Sequence, residues 1–206
     1  MTKPTFDEEQ LLWQQGIKHI AGVDEVGRGC FAGPVVAAAV ILPRSFPRMD
    51  EVNDSKKLSA TKREQLAAII QEYATSFSIA EIAVETINQV GIGKAAQQAF
   101  HKAVSDLHIP AEFILMDAFF IETIAHDIQK PIIRGDGISI SIAAASIIAK
   151  VYRDKLMQSL HEKYQVYDFA TNKGYGTKKH REAIKQYGLC DLHRTSFNLT
   201  KFTSSV

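Results

Sequence analysis

The sequence predicts an α/β fold: a mixed five-stranded sheet flanked by helices, with a small helical extension at its C-terminal end. Three observations carry that expectation. Short apolar runs with strand character recur at 19–24, 35–42, 76–84, 113–117 and 131–134. Segments with helical spacing fall between and after them, the pattern of a sheet with helices packed on it. The first, fourth and fifth runs also end in acidic residues, at Asp24-Glu25, Asp117 and Gly135-Asp136. Sites in such sheets lie beyond strand ends, where loops supply chemistry on a rigid base.

Each element follows from its residues. Residues 6–15 form a short leading helix, and 19–24 the first strand. The small apolar run 35–42, bounded by Pro34 and Pro43, reads as a buried second strand. Helical spacing at Leu66, Ile69, Ile70 and Tyr73, after the possible cap Ser59, places a helix at 61–73. Partial alternation at Phe77, Ile79, Ile82 and Val84 gives the third strand. Ala95, Ala99, Ala103 and Leu107 recur at i+4, so a helix spans 87–107 despite Gly91 and Gly93. After the fourth and fifth strands, a long helix at 142–164 carries Ile148, Tyr152, Leu156 and Leu160 on one stripe. Residues 1–164 are expected to form the principal core. Residues 165–206, rich in Lys, Gly, Tyr and His, form an extension within the same compact unit.

Composition narrows the class. With 46% hydrophobic and 23% charged residues the chain is of ordinary globular type. The polar, acidic start is no secretory signal, and no apolar run is long enough to span a membrane. Cys30 and Cys190 make neither a disulfide framework nor a zinc spacing, so a cytoplasmic setting is expected. The net charge of +1 conceals an asymmetry: residues 150–206 hold eleven Lys and Arg against five Asp and Glu, while residues 1–149 hold thirteen against eighteen. A basic part joined to an acidic body suits a protein that grips phosphates with one region and cations with another. A solvated basic surface without a partner remains the alternative.

The chemistry centres on Asp24, Glu25, Asp117 and Asp136. An aspartate closing a strand is often only a turn former. Three such ends in one sheet favour a cradle for divalent metal, because clustered carboxylates without a cation repel one another. Asp24 and Glu25 are consecutive and a strand alternates faces, so the strand must end or bend there for both to face one ion, or Glu25 contributes its backbone carbonyl. Gly27-Arg28-Gly29 follows at once, and its glycines let backbone N–H groups approach a phosphate or sugar. No Gly-x-Ser-x-Gly, P-loop or His-Glu-x-x-His motif is present. A lone histidine such as His193 is more often structural or exposed than catalytic.

Five segments in fixed order complete the pattern: 21–29, Asp54-Ser55-Lys56-Lys57-Leu58, the helix start 143–150 with Arg153-Asp154, Lys173-Gly174-Tyr175-Gly176-Thr177, and His193-Arg194-Thr195-Ser196-Phe197. In these the chain resembles the bacterial type 2 ribonucleases H, the ribonuclease HII family. The resemblance implies an RNase H-like fold whose metal site is formed by Asp24, Glu25, Asp117 and Asp136 and binds Mn²⁺ or Mg²⁺, two ions with substrate bound. It implies cleavage of the RNA strand of RNA·DNA hybrids and nicking 5′ of single ribonucleotides in duplex DNA, leaving 3′-hydroxyl and 5′-phosphate ends. Gly27, Arg28 and Gly29 would contact the ribonucleotide with its 2′-hydroxyl, and Tyr175 would stack on the next sugar.

The residue types suit these roles. The 2′-hydroxyl is what distinguishes RNA from DNA, and an aromatic ring beside lysines makes a sugar platform. For Arg28 a structural salt bridge is the rival, and for Tyr175 a ring covering the core edge. Ser55, Lys56 and Lys57 are expected to contact phosphate, against a merely solvated loop. The run 143–149 is assigned to close packing that positions Asp136, with Lys150 and Arg153 available to face the substrate. Two departures from the family pattern stand out: Cys30, often proline, and Gly137, often alanine. Cys30 is expected to be a small buried hydrophobe, whereas Gly137 is expected to loosen the Asp136 loop. The tail 198–206 shows no clear clamp-binding pattern, and with no apolar seam left over a monomer is expected. The alternatives are a resolvase- or transposase-like DNA nuclease of the same fold and a non-catalytic hybrid-binding module.

Overall fold

The computed structural model describes residues 3–202. A single five-stranded sheet has the order β3-β2-β1-β4-β5, built from β1 (Ile20–Val26), β2 (Val35–Ile41), β3 (Ser76–Ile82), β4 (Phe113–Asp117) and β5 (Gln129–Ile132). β2 is antiparallel to both β1 and β3, while β1, β4 and β5 are parallel. The parallel trio brings three carboxyl-terminal ends to one edge of the sheet.

Alternation along β2 decides the layers. Val36, Ala38 and Val40 pack on Leu66 and Ile70 of α2 (Ala60–Tyr73) and on Ala144 and Ile148 of α4 (Ile140–Lys163). Val35, Ala37, Ala39 and Ile41 face the alanine stripe of α3 (Val84–Ser105). Every β2 residue is buried, and its small side chains let helices approach from both sides. α4 lies so close to β1 that a Cβ on Gly22 would come within 2.0 Å of the Ser141 carbonyl carbon. At the start of α4, the buried Glu9 of α1 (Asp7–Gln14) accepts from Ser139 Oγ at 2.6 Å and from the Ser141 N–H at 3.0 Å. An anion at that helix end is favoured by the dipole.

The C-terminal extension contains α5 (Phe169–Asn172) and α6 (Lys178–Tyr187), the latter capped by Thr177. Tyr167, Phe169, Ala183 and Ile184 form a separate cluster with Met157 of α4 and Ala32 of the loop after β1. Residues 203–206 of the extension lie outside the described residues. Among the described residues no helix is long and apolar enough to cross a membrane.

Four details differ from the sequence reading. β1 neither ends nor bends at Asp24; it stays paired with β2 as far as Val26, held by the apolar partners Ala38, Ala37 and Val36. β5 lies at 129–132, two residues earlier than expected, so Asp136 sits in a 3₁₀ turn beyond the strand, after Arg134 at φ 59°. α3 is interrupted where Gly91 takes φ 80°. The stripe expected on the second half of α4 is not its buried face: Tyr152 is exposed, and Arg153 and Met157 point inward.

Candidate active site

Asp24 and Glu25 leave β1 on opposite faces. Asp24 stands opposite Ala38, whose side chain lies in the layer under α4, and Glu25 opposite Ala37, in the layer under α3. The regular strand therefore does not aim both at one point, as alternation demands.

Asp24 is buried, and its Oδ1 accepts from the Glu25 N–H at 2.8 Å. Its carboxylate is also hydrogen-bonded to Ser146 of α4. The Ser146 hydroxyl meets that of Ser55 at 2.9 Å. Ser55 is thus turned inward as a support of Asp24, in place of the outward phosphate contact expected of it. Burial, then the charges of Glu25 and Asp117, hold the Asp24 carboxyl well above the usual range. Burial likewise raises Glu25, to about 7, against the pull of Arg28.

Asp117 ends β4, one step beyond the Val23–Met116 pair. Its Oδ1 accepts from the Gly135 N–H at 2.8 Å. Burial raises its pKa, and the charge of Asp136 adds to that. The next residue, Ala118, takes φ 66°, a strained conformation for a side chain with a Cβ. Asp136 is buried, and its Oδ2 pairs with Lys56 Nζ at 3.1 Å. Lys57 lies 3.8 Å from Asp54 instead.

A cleft of about 380 Å³ is lined by Asp24, Glu25, Gly27, Arg28, Gly29, Ser55, Lys56, Asp117, Ser146, Lys150 and Tyr175. The structure therefore gathers nine of the eleven residues picked out in the sequence. Asp136 and Lys57 line a neighbouring hollow, joined to the first through Lys56. Among the described residues no three acidic, His or Cys side chains converge tightly enough to hold an ion as they stand.

The Arg28 guanidinium is shared between Glu25, 3.5 Å away, and the Phe119 ring, 4.5 Å from its centroid. The salt bridge considered as a rival is thus present, and it holds the side chain at the cleft wall. Tyr175 is partly exposed, with Lys150 Nζ 5.9 Å from its ring centroid. Its hydroxyl contacts the Cys30 thiol, and burial pushes the phenol up to about 12. Cys30 is fully buried, as expected of a small hydrophobe.

The Ribonuclease HII family model matches residues 21–200 of the chain. A ribonuclease HII of Caldanaerobacter subterraneus subsp. tengcongensis is 48% identical over 189 residues, which is 92% of this chain and 78% of that protein. The chain belongs to the ribonuclease HII family. It is accordingly a ribonuclease H enzyme, an endonuclease. Its fold agrees with that of a chain in the PCNA:RNase HII complex from Archaeoglobus fulgidus, with TM-score 0.74, 25% identity, and coverage of 91% of this chain and 98% of that one. The fold is shared too by Bst-RNase HIII in complex with Mn²⁺, with TM-score 0.67, 21% identity, and coverage of 92% and 70%.

Besides Ser55, the sequence misplaced one more residue of this ribonuclease HII, Arg153, and two others gave no sign of a role. Arg153, expected to be free to face substrate, is fully buried and donates to the carbonyls of Pro34, Lys173 and Ala32 at 2.9, 2.8 and 3.1 Å. A Cβ on Gly27 would meet its Nε at 2.4 Å, so Arg153 is the floor of the Gly-Arg-Gly loop. Ser146 was hidden inside an alanine run. Phe119 had no signal beyond being an aromatic just after Asp117.

Proposed function

We propose that this ribonuclease H cleaves the RNA strand of RNA·DNA hybrids and nicks duplex DNA on the 5′ side of a single embedded ribonucleotide, leaving 3′-hydroxyl and 5′-phosphate ends. The observation that carries this reading is one cleft holding carboxylates from two adjacent parallel strands, a Gly-Arg-Gly loop and a glycine-flanked tyrosine. In this reading the chain works as a cytoplasmic monomer. PCNA belongs to the Archaeoglobus complex; of the tail 198–206, in which no clear clamp-binding pattern is expected, residues 203–206 lie outside the described residues.

The donor set fits Mg²⁺ or Mn²⁺, hard cations that take oxygen ligands. Burial first, and then neighbouring carboxylates, hold the carboxyls of Asp24, Glu25 and Asp117 in a raised state that a nearby cation relieves, and the Lys56 ammonium already occupies Asp136. Asp24 and Asp117 would hold the first ion, with Glu25, whose side chain leaves the other face of β1, joining through its backbone carbonyl, and Asp136, once Lys56 withdraws to a substrate phosphate, would help position the second ion or the attacking water. Such a pair supplies activation of a water and stabilisation of the leaving oxygen in an in-line phosphodiester displacement.

The remaining work belongs to the protein's own groups. Ser146 and the Glu25 N–H fix the Asp24 carboxylate, and the Gly135 N–H fixes that of Asp117. Gly27, Arg28 and Gly29 read the ribose, whose 2′-hydroxyl is small enough for backbone groups in such a loop. Tyr175 stacks on the following sugar, and Lys56 and Lys57 take phosphates.

Replacing Asp117 by Asn removes a charge and little volume. We expect cleavage of a duplex with one embedded ribonucleotide to fall by about a hundredfold or more in Mg²⁺, with hybrid binding in Ca²⁺ retained. Full nicking by that variant, or cutting of an all-DNA duplex by the natural protein, would overturn the reading.

A further inference from the structure

His193 and Arg194, the start of a motif that the catalytic cleft does not absorb, are both buried. A short chain of hydrogen bonds leads from His193 to the substrate side. The Tyr175 carbonyl can only accept, so His180 Nδ1, 2.9 Å away, carries the proton. His180 Nε2 is then the bare nitrogen, and His193 Nε2 donates to it across 3.1 Å. That leaves His193 Nδ1 bare, and it accepts from the Cys190 N–H at 2.9 Å. With both rings neutral and the proton on His180 Nδ1, this is the arrangement that leaves no two bare ring nitrogens facing each other; the Cys190 thiol, 3.2 Å from the same His193 Nδ1, can donate to it too, and the Cys190 carbonyl lies 3.3 Å from it. Burial, which disfavours the charged imidazole, acts on both rings in the same sense.

Arg194 anchors the opposite loop. Its Nη1 donates to the Arg28 carbonyl at 2.9 Å and its Nε to that of Gly33 at 3.0 Å. The Phe31 N–H in turn donates to the Gly174 carbonyl at 2.8 Å. Two consecutive residues therefore reach the backbones of both Arg28 and Tyr175. A Cβ on Gly174 would lie 2.3 Å from the Ala32 carbonyl oxygen, so the loops are already in contact and small shifts between them are resisted.

We propose that His193 and His180 are positioning residues that hold the Tyr175 carbonyl at a fixed distance from the Arg194-anchored Arg28 loop, and that this distance sets the preference for a ribonucleotide followed by a deoxyribonucleotide. The inference rests on the roles of Arg28 and Tyr175 given above. Neither histidine touches substrate; each acts through the loop backbone.

Amide side chains test this, because Asn places its NH₂ near the position of Nδ1 and Gln near that of Nε2. His180→Asn keeps the donor to Tyr175, and His180→Gln loses it. At 193 the order reverses: His193→Gln keeps the donor to His180, and His193→Asn loses it. The readout is kcat/KM on a single ribonucleotide in duplex DNA divided by kcat/KM on a uniform RNA·DNA hybrid, which cancels effects common to both substrates. We expect His193→Gln to stay within about twofold of the natural ratio, His180→Gln and His193→Asn to lower it about fivefold or more, and His180→Asn, which keeps the donor to Tyr175 but offers His193 no acceptor, to fall between them. Equal ratios for the two amides at either position, or the reverse order, overturn the proposal. Should one variant fail to fold by thermal melting, the pair at the other position decides. Tyr175→Ala is the control. If it leaves the ratio unchanged, the reading of Tyr175 falls and takes this inference with it. If it lowers the ratio while all four histidine variants keep theirs, only the inference falls.

Discussion

Gly27 and Gly137 stand at two sides of the candidate site and make opposite demands. Gly27 has φ 95°, and a Cβ there would meet Arg153 Nε at 2.4 Å. Gly27→Ala should cost roughly 1–2 kcal/mol in backbone strain and move the loop off Arg153, which a lowered melting midpoint with reduced nicking would register. Gly137 has open space around its Cβ position and a φ outside the left-handed region. Its N–H also closes the turn on the Arg134 carbonyl at 3.0 Å, so the loosening of the Asp136 loop expected of this glycine finds no support. Gly137→Ala should raise stability by about 0.4–1 kcal/mol through the unfolded chain, and a lower melting point would contradict this.

Among elements, α4 carries the most consequences. Ser146 from its first half supports Asp24, Lys150 lines the cleft, and Arg153 holds the loops below it. The notch at Gly22 sets its depth: Gly22→Ala forces a Cβ against the Ser141 backbone and should destabilise by roughly 1–3 kcal/mol in urea titration. The small-residue runs of β2 and early α4 were legible in the sequence because close packing leaves few alternatives to alanine. The positions of Asp24 and Asp117 were legible because several acidic strand ends fell in one sheet, although either alone reads as a turn former. The limits of β1 and β5 were not, since they depend on the register of pairing with β2 and β4, which composition does not reveal. Arg153 was illegible for a different reason. An arginine on a helix reads as solvent-facing unless three carbonyls from distant loops are known to await it.

At the scale of the whole molecule, the buried His180–His193 pair links stability to acidity. The folded pKa of His193 is about 4 against an ordinary 6.5, so the unfolded chain binds more protons between those values. Its contribution is complete above about pH 6.5 and is lost as pH falls towards 4, to the extent of roughly 3 kcal/mol at most. Because the raised carboxyls of Asp24 and Glu25 act in the opposite sense, the measurement is a difference. Urea midpoints of the natural protein and of His193→Gln at pH 7.5 and 5 should show the smaller acid loss in the variant, and equal losses would remove His193 as the cause.

The outer border of the sheet bears on how copies behave side by side. β5 is four residues long and ends the strand order; its Pro131 has no N–H to donate, and its Lys130 is tied to Glu8 at 2.6 Å. A neighbouring polypeptide finds no ladder to extend along that border. Several molecules could therefore crowd along one stretch of nucleic acid without zipping together through that flank.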